Sequence, residues 1–201
     1  MSNNMVLMII LIFCTGVIVV IYNRLVSLRN RFQNAFSQIQ VQLQRRYELI
    51  PNLVATASSY MQHEHSTLLA VTHARNLASD SCSKAASNPG DAQLLGALAT
   101  AEQKLSKAMG QFNLLVENYP ELKADAQMRD LHEELTSTEN RVAYARQAYS
   151  DAVMDFNISI EQFPAIIVAR LFAFKNAELF EVEDEQMTRP VMVDFANPRS
   201  T

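Results

Sequence analysis

The stretch MRDLHEELTSTENRVAYARQAYSDAVMDF, residues 128–156, decides the fold. Met128, Leu131, Leu135, Thr138, Val142, Ala145, Tyr149, Ala152 and Phe156 recur every three or four residues, while charged and amide side chains fill the gaps. Only an α-helix brings such positions onto one face, so the stretch predicts a long amphipathic helix. Asp125 stands where an N-cap belongs, after a short turn over residues 120–123. Phe163-Pro164 marks the far end.

Working back towards the N-terminus, the same period holds between prolines. Leu25, Leu28, Phe32, Ala35, Ile39 and Leu43 form one stripe on a first helix expected to reach about Leu49. Pro51 is expected to open a second helix running to about Ser79, with Leu53, Val54, Ala57, Tyr60, Met61, Leu68 and Val71 inward. Residues 80–90 carry Ser81, Ser83, Ser87, Asn88, Pro89 and Gly90 and predict a loop. A third helix follows to about Glu117, capped by Asn88 or Asp91 and facing inward through Leu94, Leu98, Leu105, Phe112 and Leu115. A short apolar piece, residues 165–174, comes after the fourth helix. An acidic run from Glu181 to Glu185 opens a tail, residues 181–201, expected to lack fixed structure. Helices joined by short connections pack as antiparallel neighbours.

Residues 5–22 are apolar apart from Thr15 and Gly16. At about 1.5 Å per residue they reach roughly 27 Å, close to the thickness of a bilayer core. No lysine or arginine precedes the run, and no small-residue cleavage pattern follows it, which favours a retained anchor over a signal peptide. Arg24, Arg29 and Arg31 lie just after it, so the positive-inside rule places the remaining chain in the cytoplasm and the N-terminus outside the inner membrane. No breaker separates the anchor from the first stripe. The expected architecture is therefore all-α: an N-terminal transmembrane helix (1–22) continuous with an elongated antiparallel up-down-up-down bundle (23–180).

Composition excludes some function classes. Hydrophobic residues make up 49% of the 201, enough for a sizeable core, and the net charge of −4 offers no basic field for nucleic acid. Four glycines and the lack of any GxSxG or P-loop spacing give no phosphate cradle or nucleophile elbow. Cys14 and Cys82 lie far apart and make no CxxC pair, and Cys82 reads as a small loop residue. His63-Glu64-His65, placed on a helix, would send its imidazoles to different faces, so no metal site is expected. No cofactor is expected either. Glu133 and Glu134 read as a solvated face. Glu139-Asn140-Arg141 interrupts the apolar stripe between Leu135 and Val142. Counted from Tyr22 and from Phe163, Arg46 and Glu139 both stand about 36 Å from the bilayer. A buried polar layer of Arg45 or Arg46 with Glu139 and Asn140 is therefore expected to set helix register, the alternative being a surface-facing pair of Glu139 with Arg146 seven residues on.

Several motifs carry a resemblance. Residues 22–30 (YNRLVSLRN), 41–46 (VQLQRR) and 49–54 (LIPNLV, with Asn52) come first. His63-Glu64, Ala74-Arg75, residues 117–124 with Glu117, Asn118 and Tyr119, residues 138–143 with Arg141, then Tyr149, Phe156-Asn157 and Phe163-Pro164 follow in order. Together they resemble the LemA family of bacterial membrane proteins over about residues 20–181. Phe36 stands where that family usually has tryptophan, Gln40 where it has aspartate, Ser150 where it has asparagine, and Ala173 where it has glycine. Leu179-Phe180-Glu181 replaces a doubly aromatic ending. The resemblance implies an anchored, elongated helical domain with no established biochemical activity.

The reading that follows is a non-enzymatic scaffold or adaptor, tethered to the bilayer through residues 5–22 and acting on an unidentified protein partner. Self-association is also expected, from the continuous stripes and the alanine-rich faces. The alternatives are a sensing module that transmits motion along the first helix, and a hydrolase using Glu64, Glu139 or the histidines.

Overall fold

The computed structural model describes residues 3–181. They form six helices: α1 (Asn3–Ser58), α2 (His65–Ser87), α3 (Ala92–Val116), α4 (Pro120–Ala124), α5 (Ala126–Glu161) and α6 (Ala165–Leu171). No strand occurs among the described residues. The tail expected to lack fixed structure lies, apart from Glu181, outside them.

Helix α1 runs without interruption for 56 residues. Its first part stands clear of everything else: residues 3–20 are exposed, and packing begins at Ile21 and Tyr22. It is long and apolar enough to cross a membrane. Beyond it, Leu25, Phe32, Phe36, Ile39, Leu43, Ile50, Leu53 and Ala57 are buried on one stripe. Phe36, rather than the expected Ala35, fills the stripe and meets the Tyr149 ring edge-on with centroids 5.6 Å apart.

The chain goes out along α1, back along α2, out along α3 and back along α5. Helix α1 packs on both α5 and α2, and α2 on α3. Residue pairs that meet along α1 and α5 advance in opposite directions, Arg31 with Asp155, Phe36 with Tyr149 and Arg46 with Glu139, and just beyond their ends Tyr60 meets Asp125. That is one antiparallel register held along the bundle.

Two expected breaks moved. Pro51 does not start a helix; it lies inside α1, which continues to Ser58, and residues 59–64 make the turn. A proline in a helix lacks the N–H that would reach the carbonyl four residues earlier, here Tyr47. Arg75 on α2 supplies the missing donor, its Nε lying 2.8 Å from the Tyr47 carbonyl oxygen. The neighbouring helix thus repairs the break, which the local sequence of α1 could not reveal. Replacing Arg75 with alanine should cost about 1–3 kcal/mol by leaving that carbonyl unpaired. In a Pro51→Ala background, where the helix restores its own N–H, chemical denaturation should find most of that cost gone.

The loop expected over residues 80–90 is shorter than its serines suggest. Helix α2 continues to Ser87 because Ala78, Cys82 and Ala85 keep its buried stripe. The serines lie on its outer side, and Ser83 and Ser87 return hydrogen bonds to carbonyls of the preceding turn. Asp91 caps α3 by accepting from the N–H groups of Gln93 and Leu94. Asp125 caps α5 by accepting from Met128 N–H, and also receives the Tyr60 hydroxyl at 3.3 Å, tying the distal turns together.

Helix α6 leaves α5 at 94° and packs on α1 and α5 through Val168 and Ala169. It ends in a Schellman motif. Phe174 N–H bonds the Ala169 carbonyl, Ala173 N–H bonds the Arg170 carbonyl, and Ala173 sits at φ +54°. This is the position where the resembling family has glycine. A side chain there is strained by about 1–2 kcal/mol. Ala173→Gly should therefore raise stability by about 1 kcal/mol after the extra freedom of glycine in the unfolded chain is set against the relief; a denaturant midpoint shifted upward checks it.

Residues 174–181 then run back into the bundle as an extended strap between α3 and α5. Asn157 on α5 holds the strap by both polar ends of its amide, accepting from Ala177 N–H and donating to the Ala177 carbonyl, each at 2.9 Å. The Tyr149 hydroxyl donates to the Glu178 carbonyl at 2.8 Å, and Glu178 N–H donates to the Gly90 carbonyl. Phe180 is buried at the strap's end.

Candidate functional site

The polar centre of the molecule forms where α1, α3 and α5 converge. Arg46 and Tyr47 are consecutive on the inner side of α1, and both are buried. Arg46 is only 8% exposed and Glu102 of α3 only 4%. Arg46 Nη1 donates to Glu102 Oε2 at 3.0 Å, and its Nη2 reaches Glu139 Oε1 at 3.3 Å. The Tyr47 hydroxyl donates to Glu102 Oε1. Each oxygen of the Glu102 carboxylate therefore has a donor, the condition under which a buried charge is tolerated. Among the described residues, no buried side-chain nitrogen or oxygen lacks a partner.

Cys82 adjoins this cluster. It is buried in α2 rather than placed in a loop, because it continues the α2 stripe. Burial and, after it, the charge of Glu102 push its thiol up to about 12, against a smaller opposing effect of the Tyr47 hydroxyl. At neutral pH it is a neutral thiol and a poor nucleophile. The Tyr47 phenol is likewise pushed up, first by burial and then by the Glu102 charge, so it stays a donor.

The expected polar layer has a different membership. Arg45 points outward and pairs with Glu134, because a one-residue step along a helix turns a side chain by about 100°. Glu134, read as merely solvated, is thus engaged at the surface. Glu139 lies at the rim, its side chain 55% exposed. Asn140 is exposed. The buried carboxylate is Glu102, which was not among the expected members of the layer. Its signal was present: Glu102 falls on the α3 stripe four residues after Leu98 and three before Leu105. A charge on an apolar stripe calls for a buried partner.

Beside the cluster is a polar recess of about 270 Å³, lined by Arg46, Glu102, Ser106, Glu139, Arg146 and Phe180 among others. A second recess, of about 500 Å³, lies at the distal end between α3 and α5, lined by Val116, Glu117, Lys123, Arg129 and His132 among others.

The remaining motif residues are distributed along the molecule. His63 and Glu64 lie in the turn between α1 and α2, not on a helix; His63 is exposed and Glu64 half-buried, and the Glu64 side chain makes no capping bond. Asn52 is exposed on α1, its backbone carbonyl accepting from Thr56. Glu117 and Asn118 are exposed at the turn after α3, and Tyr119, half-buried, accepts from Lys123 N–H through its carbonyl. Arg141 is exposed on α5. Asn157 is the strap's clamp. The motif positions thus collect at the distal turns, at the polar centre and at the strap.

The LemA family profile matches residues 35–195. Among curated relatives, magnetosome protein MamQ 2 of Paramagnetospirillum magneticum AMB-1 is 27% identical over 178 residues, which cover 80% of this chain and 64% of that protein. Magnetosome protein MamQ of Magnetospirillum gryphiswaldense MSR-1 is 25% identical, covering 79% and 64%. Protein LemA of Metamycoplasma hominis is 24% identical over 162 residues, covering 81% and 69%. The chain spans just under two thirds of the length of the magnetosome relatives that it matches. With most of its length matched by one profile, the chain belongs to the LemA family.

Proposed function

We propose that this protein is a non-enzymatic, membrane-tethered helical scaffold that works through protein–protein contacts. The observation that carries the reading is α1 itself. One unbroken helix supplies both the apolar span and the stripe on which α2 and α5 pack. A bundle built on its own anchor stays in line with its span and at a set distance from the bilayer, as a platform requires.

The side chains left for partners include Leu69 on α2, Leu114 on α3 and Tyr144 on α5, all exposed. A hydrolase that joined Glu64 and Glu139 at one reacting atom is disfavoured by their places. Glu139 is level with Arg46, whereas Glu64 lies past the end of α1 at Ser58, so the two are roughly 18 Å or more apart along the bundle. No shared reacting atom spans that distance.

Crosslinking in intact membranes tests the proposal. Photoreactive residues in place of Leu69, Leu114 and Tyr144 should give discrete protein adducts that differ with position, read by mass spectrometry. No adduct from any of the three would count against it. Self-association is part of the same proposal, and native mass spectrometry from nanodiscs showing only monomers would remove that part.

Orientation is proposed as bundle-in, from Arg24, Arg29 and Arg31. Cys82 is too buried to report it, so a Ser83→Cys, Cys82→Ala chain should be labelled by an impermeant maleimide only after the cells are opened. Labelling of intact cells would reverse the orientation.

A further inference from the structure

The end of the bundle nearest the span carries an apolar surface that the packing of the bundle does not use. Phe163, Ile167 and Leu171 are 82%, 60% and 70% exposed, at four-residue intervals along one side of α6 and its approach. Val168 and Ala169, on the opposite side of α6, are buried. Phe172, half exposed, packs against Tyr22 with the rings tilted and their centroids 4.7 Å apart, and Phe174 meets the same ring at 5.8 Å. Tyr22 is the last residue of the apolar run. Helix α6 is thus fixed at the level where the span leaves the hydrocarbon. It is turned 94° from α5, a helix that runs along the bundle. Arg24, Arg170 and Lys175 are exposed around it, and the Arg29 guanidinium lies 5.4 Å from the centre of the Phe174 ring.

We propose that α6 is a membrane-surface helix: Phe163, Ile167 and Leu171 enter the bilayer interface beside the span, with the surrounding cations among the lipid headgroups. This rests on the reading of residues 5–22 as a membrane span. Three observations name lipid as the occupant. The face is continuous with the span through Tyr22. Its helix lies across the bundle and so along the membrane plane. Apolar residues rimmed by arginine and lysine, with Glu161 of the last turn of α5 bonded to Asn176, match the acyl and headgroup layers in turn. A span alone leaves the bundle free to tilt and rotate. A second contact beside it fixes both, and so decides which sides of α2, α3 and α5 face partners.

The chain contains no tryptophan, so a single introduced indole reports its own surroundings. Four full-length variants are compared: Ile167→Trp and Leu171→Trp on α6, Val17→Trp in the span, and Tyr144→Trp on α5. Tyr144 lies about 28 Å further from the membrane than Phe163. Each is placed at one chain per nanodisc of phosphatidylcholine and phosphatidylglycerol, with and without phosphatidylcholine brominated in the upper acyl chain. Helix content by circular dichroism selects the folded variants, and either α6 variant suffices. Indole seated about 5–10 Å into the interface should lose about half or more of its emission to the brominated lipid, as should Val17→Trp, while Tyr144→Trp keeps nearly all. Quenching of Val17→Trp with none at either α6 position overturns the proposal and leaves the tether standing. An α6 emission that turns blue only when discs hold several chains, without quenching at one chain per disc, assigns the face to a second copy and overturns it too. An unquenched Val17→Trp overturns the tether and this inference together.

Discussion

Glu102→Ala should lower the stability of the full chain by about 3–5 kcal/mol, because it leaves the buried Arg46 guanidinium facing only a rim carboxylate. The Tyr47 hydroxyl loses its acceptor in the same step. Glu139→Ala removes the other carboxylate that Arg46 reaches, yet should cost less than about 1 kcal/mol, since water at the rim can take its place. The order of the two variants matters more than either value. A pair buried for register rather than for net stability has a further property: replacing both partners by leucine is close to neutral. Arg46→Leu/Tyr47→Phe/Glu102→Leu, which also removes the hydroxyl that Glu102 accepts from, should therefore melt near the unaltered chain while Glu102→Ala melts far below it. Equal effects of Glu102→Ala and Glu139→Ala in nanodisc melts would place the polar centre at Glu139 instead.

Gly90→Val is the second change with a large expected effect. Gly90 sits at φ +95°, and a Cβ built there comes within 3.0 Å of Ala177 Cβ and 3.3 Å of the Phe32 ring. A β-branched residue both opposes that backbone conformation and pushes against the strap. Backbone strain and overpacking together give about 2–4 kcal/mol. The strap should yield first, because α3 is anchored by its own cap at Asp91 and the strap by a few hydrogen bonds. Hydrogen exchange should accelerate at Ala177 and Glu178, whose N–H groups face Asn157 and Gly90, before it does in α1. Uniform acceleration through α1, α3 and α5 would show instead that the strap is inseparable from the core.

The fold was largely legible in the sequence, and the reason is local. A helix repeats its own face every three or four residues, so the α5 stripe could be read from Met128 to Phe156 without knowing what covers it. Register was legible for a related reason. Helices α1 and α5 are both continuous, and counting residues from Tyr22 along one and from Phe163 along the other brings Arg46 level with Glu139, which stand 3.3 Å apart. What failed depended on contacts distant in sequence. Pro51 looks like a break until Arg75, on another helix, takes the carbonyl that it orphans. The serines of α2 look like a loop until Cys82 and Ala85 are seen buried. The strap has no period at all: its shape comes from Asn157, Tyr149 and Gly90, each far away along the chain.

The candidate site was legible only in part, for an electrostatic reason. Arg45, Arg46, Glu134 and Glu139 are all visible as charges, and Arg46, three residues after Leu43 and four before Ile50, continues the α1 stripe. Its buried partner, Glu102 on α3, stands in a stripe that was read for its leucines. A stripe is defined by its apolar members, so the single charged member is the one most easily passed over, and here it holds the polar centre.

A scaffold of this kind requires span and bundle to form one rigid body through α1. The most direct measurement is an electron-electron distance between spin labels at Gly16→Cys, in the span, and Gln44→Cys, on the exposed side of α1 within the bundle, in a chain with Cys14 and Cys82 replaced by alanine. A continuous helix places the two backbone positions about 42 Å apart. In nanodiscs one narrow distribution near that distance is expected, unchanged between lipid bilayers of different composition. A broad distribution, or one centred well below it, would mean a joint between anchor and bundle and would contradict the scaffold.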